Sequence, residues 1–259
     1  MSKLSVVMIV KNEAHRIART LASARWADEL VIVDAFSTDG TVDACRPYTD
    51  RIFQYAWEGF ARQRERSVAH ATHDWIFSLD ADEVISEELA QEINRIVQAP
   101  EAENGYWVSR KTRYLGRWIE HSGWFPDFQM RFFRKAQAFI EPKAVHEGFS
   151  VHGETGRLSG LLYHYSYGSI SEHLEKINRY TTLEAPHKLL RRGRKPVRWY
   201  HLLFNPWAKF FRMFVLKRGY KDGFPGFILA LMSAFYVQLL YAKAWEEGNT
   251  KLDADKTAE

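Results

Sequence analysis

Asp80 and Asp82 follow directly on the apolar run Trp75 to Leu79, in the sequence Leu79-Asp80-Ala81-Asp82-Glu83. Two carboxylates two residues apart at the end of a strand can approach one hard cation. Mg2+ or Mn2+ takes oxygen ligands and leaves positions to substrate phosphates and water, so such a pair suits neutralising a leaving diphosphate. The plain alternative for Asp-x-Asp is a solvated acidic turn or a helix N-cap. Position favours chemistry. Asp34 closes the run Leu30-Val31-Ile32-Val33 just as Asp80 closes its own. Open α/β sheets bind ligands outside the carboxyl ends of their strands.

The surrounding pattern supplies such a sheet. Leu4 to Val10 is a short β-branched run, as in a strand buried on both faces. Helical spacing follows from Ala14 to Ala24, then the strand at 30–33, a turn and helix start at Ser37-Thr38-Asp39-Gly40-Thr41, and a short strand over Arg51 to Tyr55. Phe60 to Ala71 reads as a helix, Trp75 to Leu79 as a fourth strand, and Ser86 to Val97 as a helix capped by Ser86. Alternating strands and helices predict an α/β domain with a mostly parallel open sheet and right-handed crossovers. From Tyr106 to Tyr167 short aromatic runs alternate with glycine and charge, predicting added strands and substrate loops. Ile170 to Leu190 looks helical, with Pro186 expected to end or kink it.

These residues resemble family 2 glycosyltransferases of the GT-A, Rossmann-like fold, over roughly residues 3 to 150. The resemblance rests on Lys11-Asn12-Glu13 after the first strand, Val31-Ile32-Val33-Asp34, Ser37 to Thr41, and Trp75 through Glu83. Within the family the chain is similar to the lipopolysaccharide inner-core β-glucosyltransferase branch. It shares Leu-Asp-Ala-Asp-Glu at 79–83, Pro126-Asp127-Phe128-Gln129-Met130-Arg131 and Val145-His146-Glu147.

The resemblance implies an inverting, metal-dependent transfer of a sugar, glucose or another hexose, from a nucleotide sugar to a glycolipid such as a lipopolysaccharide inner core. UDP-sugars are the favoured donors, and Mn2+ or Mg2+ the cofactor. Asn12 and Glu13 would contact the nucleoside, Asp34 the base or ribose, and Asp80 the donor. Arg64 would reach the diphosphate, although Glu65 stands where family members commonly carry Asn. Asp82 would hold the metal, completed by His146, whose imidazole suits Mn2+. Asp127 is the candidate base that takes the acceptor hydroxyl's proton; Pro126 replaces the acidic residue usual before it. Arg131 would pair with phosphate, or else with a structural carboxylate. Trp124 and Glu147 would meet the acceptor; Trp118 and Tyr114 could also stack on sugar faces.

Composition is that of an ordinary globular protein: 259 residues, 46% hydrophobic and 26% charged. One cysteine, Cys45, excludes internal disulfides and Cys-based zinc clusters. No Walker loop, G-x-G-x-x-G after the first strand, G-x-S-x-G elbow or His-Glu-x-x-His helix is present, which argues against nucleotide hydrolysis, dinucleotide oxidoreduction and triad hydrolysis. The first residues lack an h-region and a cleavage site, so no signal peptide is expected.

The net charge of +4 is unevenly spread. Ala185 to Lys221 holds 11 Lys/Arg and no Asp or Glu, so the remainder is 4 − 11 = −7. Gly223 to Ala242 follows, 20 residues without a charge. Near-spanning length is offset by Pro225, Gly226, Ser233 and Gln238, which predicts a helix lying on an anionic membrane or in an oligomer contact. The expected organisation is a catalytic domain over 1–167 (nucleotide-sugar half 1–99, acceptor half 100–167), a helical, membrane-associating extension over 168–247 and a disordered tail over 248–259. The expected location is cytoplasmic, peripheral on the inner face of the cell membrane, with a homo-oligomer allowed. Two other readings stay open. A sugar-phosphate nucleotidyltransferase uses the same sheet and metal logic but usually opens with a glycine-rich loop. A nucleic-acid-binding protein could use the interleaved aromatics and cations of 185–221; the apolar sequel argues against it, and no nucleic acid is expected.

Overall fold

Strand β1 (Leu4–Val10) is apolar on both faces because it runs through the middle of a parallel sheet, between β2 (Glu29–Asp34) and β4 (Trp75–Asp80). β3 (Ile52–Gln54) extends the parallel set beyond β2. The computed structural model describes residues 2–140, 148–191, 193 and 196–257. Alternate residues of the parallel strands face two cores. Val6, Met8, Ile32, Phe77 and Leu79 pack with Ile17 and Leu21 of α1 (Ile17–Ser23) and with Leu89 and Ile93 of α4 (Glu87–Gln98). Val7, Val31 and Ile76 face the other way, against Val68 of α3 (Phe60–His70) and Phe133. Each fully buried Leu, Ile or Phe stabilises by roughly 1.5–3 kcal/mol. The short α2 (Thr41–Cys45) follows β2 and buries Cys45. Ser86 caps α4 as expected, accepting from Leu89 N at 3.2 Å.

Beyond β4 the sheet turns antiparallel, so it is mixed, and the expected parallel order holds for its first half. The order is β3-β2-β1-β4-β8-β6-β11-β5, where β5 is Glu83–Ile85, β6 Gly105–Tyr114, β8 Asp127–Arg134 and β11 Thr155–Tyr167. The two-residue β7 (Arg117–Trp118) pairs with the end of β6. β9 (Ala138–Ile140) and β10 (Phe149–Val151) form a separate antiparallel ribbon. β11 can pass α4 closely only because residue 160 is glycine: a Cβ there would stand 2.4 Å from Leu89 Cα.

The chain divides into two compact units, and the division is not the contiguous cut at 167 that composition suggests. One unit is Met1–Lys111 with Pro126–Tyr165; the other is Thr112–Phe125 with Ser166–Glu259. The second contains α5 (Ile170–Arg191), α6 (Trp199–Phe211) and α7 (Gly223–Thr257), with α7 packed on both others. Tyr114 and Ile119 lie in its core with Met213, Leu229 and Ala230; a second cluster joins Ala185 and Val197 to Leu240, Tyr241 and Ala244. Asp222, buried just before α7, accepts from the backbone N–H groups of Glu120 (3.2 Å) and His121 (2.9 Å).

Two local expectations differ from the structure. α5 continues through Pro186 to Arg191, because the adjacent Ala185 is locked into the cluster with Tyr241 and Ala244, and packing outweighs the lost hydrogen bond. α7 runs on to Thr257, over most of the segment read as a disordered tail; its Lys, Ala and Asp residues extend a helix already nucleated and packed upstream.

Candidate active site

The β1 and β2 ends are neighbours in register, Val10 beside Asp34 and Ile9 beside Asp80, so both aspartates reach one edge of the sheet. The loops after these strands are tied together. Asn12 takes a left-handed conformation (φ 56°), donates its N–H to Ser37 Oγ at 2.8 Å and accepts from Thr38 N at 2.9 Å. Glu13 N donates to Thr41 Oγ1 at 2.8 Å. Asn12 is thus a clamp between the two loops that would frame a nucleoside. The Glu13 carboxylate pairs with Arg16; burial raises its pKa above the ordinary value against that cation's pull. Asp34 is fully buried. Its Oδ2 accepts from Ser37 N and Gln54 Nε2, both at 2.9 Å, while Oδ1 has no hydrogen-bond partner. A buried carboxylate oxygen without a donor is costly, and a ligand N–H or O–H would satisfy it.

The three acids of Asp80-Ala81-Asp82-Glu83 have separate fates. Asp80 meets Arg131 Nη2 at 2.5 Å and Arg64 Nη2 at 3.6 Å. Burial opposes its charge, but Arg131 and then Arg64 outweigh burial and hold the carboxyl well below the usual range. Glu83 is fully buried; it accepts from Asp80 N (3.0 Å), Arg131 Nη2 (2.6 Å) and Arg110 Nη1 (3.4 Å), so it braces the turn from inside. Arg131 is itself buried between Asp80 and Glu83. Burial disfavours its cation, yet the two carboxylates raise its pKa and keep it charged. Of the two partners the sequence left for Arg131, phosphate or structural carboxylate, the structure shows the carboxylates.

Asp82 faces a different set. His164 Nε2, on β11, lies 3.3 Å from Asp82 Oδ2, and Arg16 Nη1 lies 3.8 Å from the same oxygen. Burial opposes charge on Asp82, but the His164 contact outweighs it and lowers the carboxyl's pKa. Two ligands at right angles, each about 2.1 Å from an octahedral ion, stand about 3 Å apart. A carboxylate oxygen and an imidazole nitrogen at 3.3 Å therefore fit two positions of one Mn2+ or Mg2+. Among the described residues no group of three His, Cys, Asp or Glu side chains converges for a metal. His146 and Glu147, expected as metal ligand and acceptor contact, lie outside the described residues.

Asp127 opens β8 directly across from Arg110 on β6. Arg110 donates Nε (2.9 Å) and Nη2 (2.7 Å) to Asp127 Oδ2, and Gln129 Nε2 donates to Oδ1 at 2.8 Å. The side chain keeps about a third of its surface (32%), so an acceptor hydroxyl can reach it. Because Arg110 also meets Glu83, an alternating chain runs Asp127–Arg110–Glu83–Arg131–Asp80–Arg64. It links the candidate base to the Asp-x-Asp turn. Arg110, Glu83 and His164 were missed as site residues. No local spacing marks them; only strand register brings Arg110 opposite Asp127 and His164 opposite Glu83.

Trp124 belongs to the second unit, where it is half-buried against Tyr114 (ring centroids 6.0 Å) and Tyr167 (5.8 Å). Tyr114 is fully buried there, its hydroxyl 2.8 Å from His173 Nδ1, so it offers no face to a sugar.

Comparison with known proteins agrees with this layout. The chain is 29% identical over 250 residues to the lipopolysaccharide core biosynthesis glycosyltransferase LpsC of Rhizobium meliloti (strain 1021), covering 94% of this chain and 92% of that one. It is 28% identical over 258 residues to the uncharacterized glycosyltransferase RT0209 of Rickettsia typhi, covering 95% and 88%. Among solved structures, the mannosyltransferase PcManGT of Pyrobaculum calidifontis shares the fold, with a TM-score of 0.53 at 14% identity over 94% of this chain and 87% of that one. The family model for glycosyl transferase family 2 matches residues 5–152, more than half of the chain. The chain belongs to glycosyl transferase family 2 and is a glycosyltransferase.

Proposed function

We propose that the protein transfers a hexose from a nucleotide sugar, a UDP-sugar by preference, to the hydroxyl of a glycolipid acceptor, with inversion at the anomeric carbon. The observation that carries this reading is the chain of ion pairs joining Asp127 to the Asp80–Asp82 turn. It holds a partly exposed carboxylate in register with a diphosphate-binding edge. Asp127 takes the proton of the acceptor hydroxyl as its oxygen attacks the anomeric carbon; the bond from that carbon to the diphosphate oxygen breaks on the opposite face. Arg110 aligns the Asp127 carboxylate, and when Asp127 gains the proton Arg110 keeps Glu83 as its counter-charge. The orphaned Oδ1 of Asp34 accepts from the nucleoside, with Asn12 and Glu13 shaping the loop around it. Arg64 is placed to share its charge between Asp80 and the donor diphosphate. Asp82 and His164 would hold the Mn2+ or Mg2+, which when bound would supply positive charge to the departing diphosphate. PcManGT is in complex with GDP-Man and Mn2+, in keeping with a divalent ion on this fold.

The name of LpsC supports a lipopolysaccharide core as the acceptor. The test is a thermal-shift screen of UDP-, GDP- and ADP-sugars with and without Mn2+, since a ligand that binds only the folded protein raises its melting temperature. The best donor is then used in a transfer assay with isolated lipopolysaccharide core, reading the anomeric configuration of the product. A retained configuration, or no donor-dependent transfer, overturns the mechanism.

A further inference from the structure

Helix α6 leaves one face uncovered. Phe204, Trp207 and Phe211 are 61%, 65% and 53% exposed and their spacing places them on a single side, and Trp199 (71%) is exposed at the first residue of the helix. Leu216 (66%) and Phe224 (72%) continue the apolar surface past the helix end and into α7. The opposite side is inside the unit: Pro206 is buried, and Phe210 packs on Phe214 and Phe227. Contiguous exposed apolar surface on this scale marks an interaction site rather than ordinary surface.

The cations around this face decide the partner. Arg198, Lys209, Arg212, Lys217, Arg218 and Lys221 lie in a stretch with no acidic residue. Among the described residues none of the six pairs with a carboxylate. Lys209 feels the crowding: burial first, then Arg212 and Lys217, lower its pKa. A second copy of this chain meeting the same face across a two-fold axis would set these cations against themselves, with nothing to neutralise them. A single-stranded nucleic acid would use the rings but gain nothing from the exposed Leu203 and Leu216. An anionic bilayer satisfies both parts, since tryptophan and phenylalanine enter the headgroup and upper acyl region while Lys and Arg meet phosphates.

The groups packed along α7 argue for a surface contact over a span. α7 is long and apolar enough to cross a bilayer by length and composition. Yet α5 lays polar and charged groups along it. Glu184 hydrogen-bonds Tyr236 in the middle of the apolar stretch, Lys188 sits over the Tyr241 ring at 4.6 Å, and Lys243 Nζ reaches Asn178 O at 2.8 Å. A spanning α7 would carry Glu184 and Lys188 into hydrocarbon. We infer that α6, continued through Leu216 and Phe224, docks in the plane of an anionic lipid surface as a monotopic anchor, with α7 as its internal support. The inference is independent of the donor and acceptor assigned above.

The test is co-sedimentation of the full chain with vesicles of phosphatidylglycerol and phosphatidylethanolamine, against phosphatidylcholine alone. Binding at least tenfold tighter to the anionic vesicles, weakened by salt, is expected. The triple variant Trp199→Ser/Phe204→Ser/Trp207→Ser should lose tenfold or more, with an unchanged melting temperature because all three are exposed. Arg212→Ser/Lys217→Ser should lose the anionic preference and keep residual binding. Acyl-chain-brominated lipid should quench tryptophan fluorescence less in Trp207→Phe than in the parent. Carbonate washing should release the native protein from membranes. Equal vesicle binding by the triple variant, resistance to carbonate, a dimer held by these residues, or RNA binding without vesicle binding would each overturn the proposal. Donor-induced thermal shifts should be the same in all variants, which separates this result from the fate of the proposed reaction.

Discussion

His164 Nε2 stands 3.3 Å from Asp82 Oδ2, although 82 residues separate them in the chain. If this pair holds the divalent ion, both side chains are needed for it. Mn2+ with UDP should raise the melting temperature of the native protein. Asp82→Ala should abolish that shift, and His164→Ala should weaken Mn2+ binding roughly 10- to 100-fold by calorimetry. Undiminished Mn2+ affinity in His164→Ala would remove the imidazole from the site.

Asp127→Asn keeps the shape of the side chain and its contact with Gln129, but removes the proton acceptor. The turnover number should fall by about 10²- to 10⁴-fold while donor affinity stays within about twofold. A parallel loss of donor affinity would mean that Asp127 holds the site together and does not act as the base.

Arg131 is the buried cation between Asp80 and Glu83. Arg131→Ala leaves Asp80 and Glu83 only their longer contacts with Arg64 (3.6 Å) and Arg110 (3.4 Å), so the loss should approach the ~3–5 kcal/mol seen when a buried pair loses one partner. Urea melts should show this, with partial recovery in Arg131→Lys. A change below about 1 kcal/mol would show that water or other cations compensate.

His173 sets a pH dependence for the second unit. Burial lowers its pKa to about 4, with Lys176 adding to the effect, against 6.5 when unfolded; Glu172 opposes, and the Tyr114 hydroxyl and Tyr167 ring face it. The folded value lies below the unfolded one, so the contribution to stability is complete above 6.5. It is lost as pH falls from 6.5 towards about 4, because the unfolded chain takes the proton first. The slope should approach one proton, about 1.4 kcal/mol per pH unit. His173→Gln should flatten this part of the stability profile; an unchanged profile would assign the slope elsewhere.

The parallel half of the sheet could be read directly because each strand is a local apolar run bounded by turn residues, and Asp34 and Asp80 end two of them. Asp80, Asp82 and Asp127 could be proposed from their positions at strand ends or in a family pattern. Arg110 and His164 could not, because their roles come from antiparallel register over long separations, which short-range spacing does not encode. Pro186 does not end α5, because packing of its neighbour Ala185 against α7 holds the helix through it. Family membership also decides for a glycosyltransferase over the nucleotidyltransferase reading.

The chain leaves the first unit after Lys111, returns at Pro126 and leaves again after Tyr165. The helical unit is therefore not a contiguous tail behind the catalytic sequence. Residues 112–125 carry Tyr114 and Ile119, whose core partners Met213, Leu229 and Ala230 arrive about a hundred residues later. A chain ended at residue 165 would lack the Met213, Leu229 and Ala230 side that buries those two side chains. Any exchange of the helices therefore has to include residues 112–125, which sit between two stretches of the first unit and complete the helices' core.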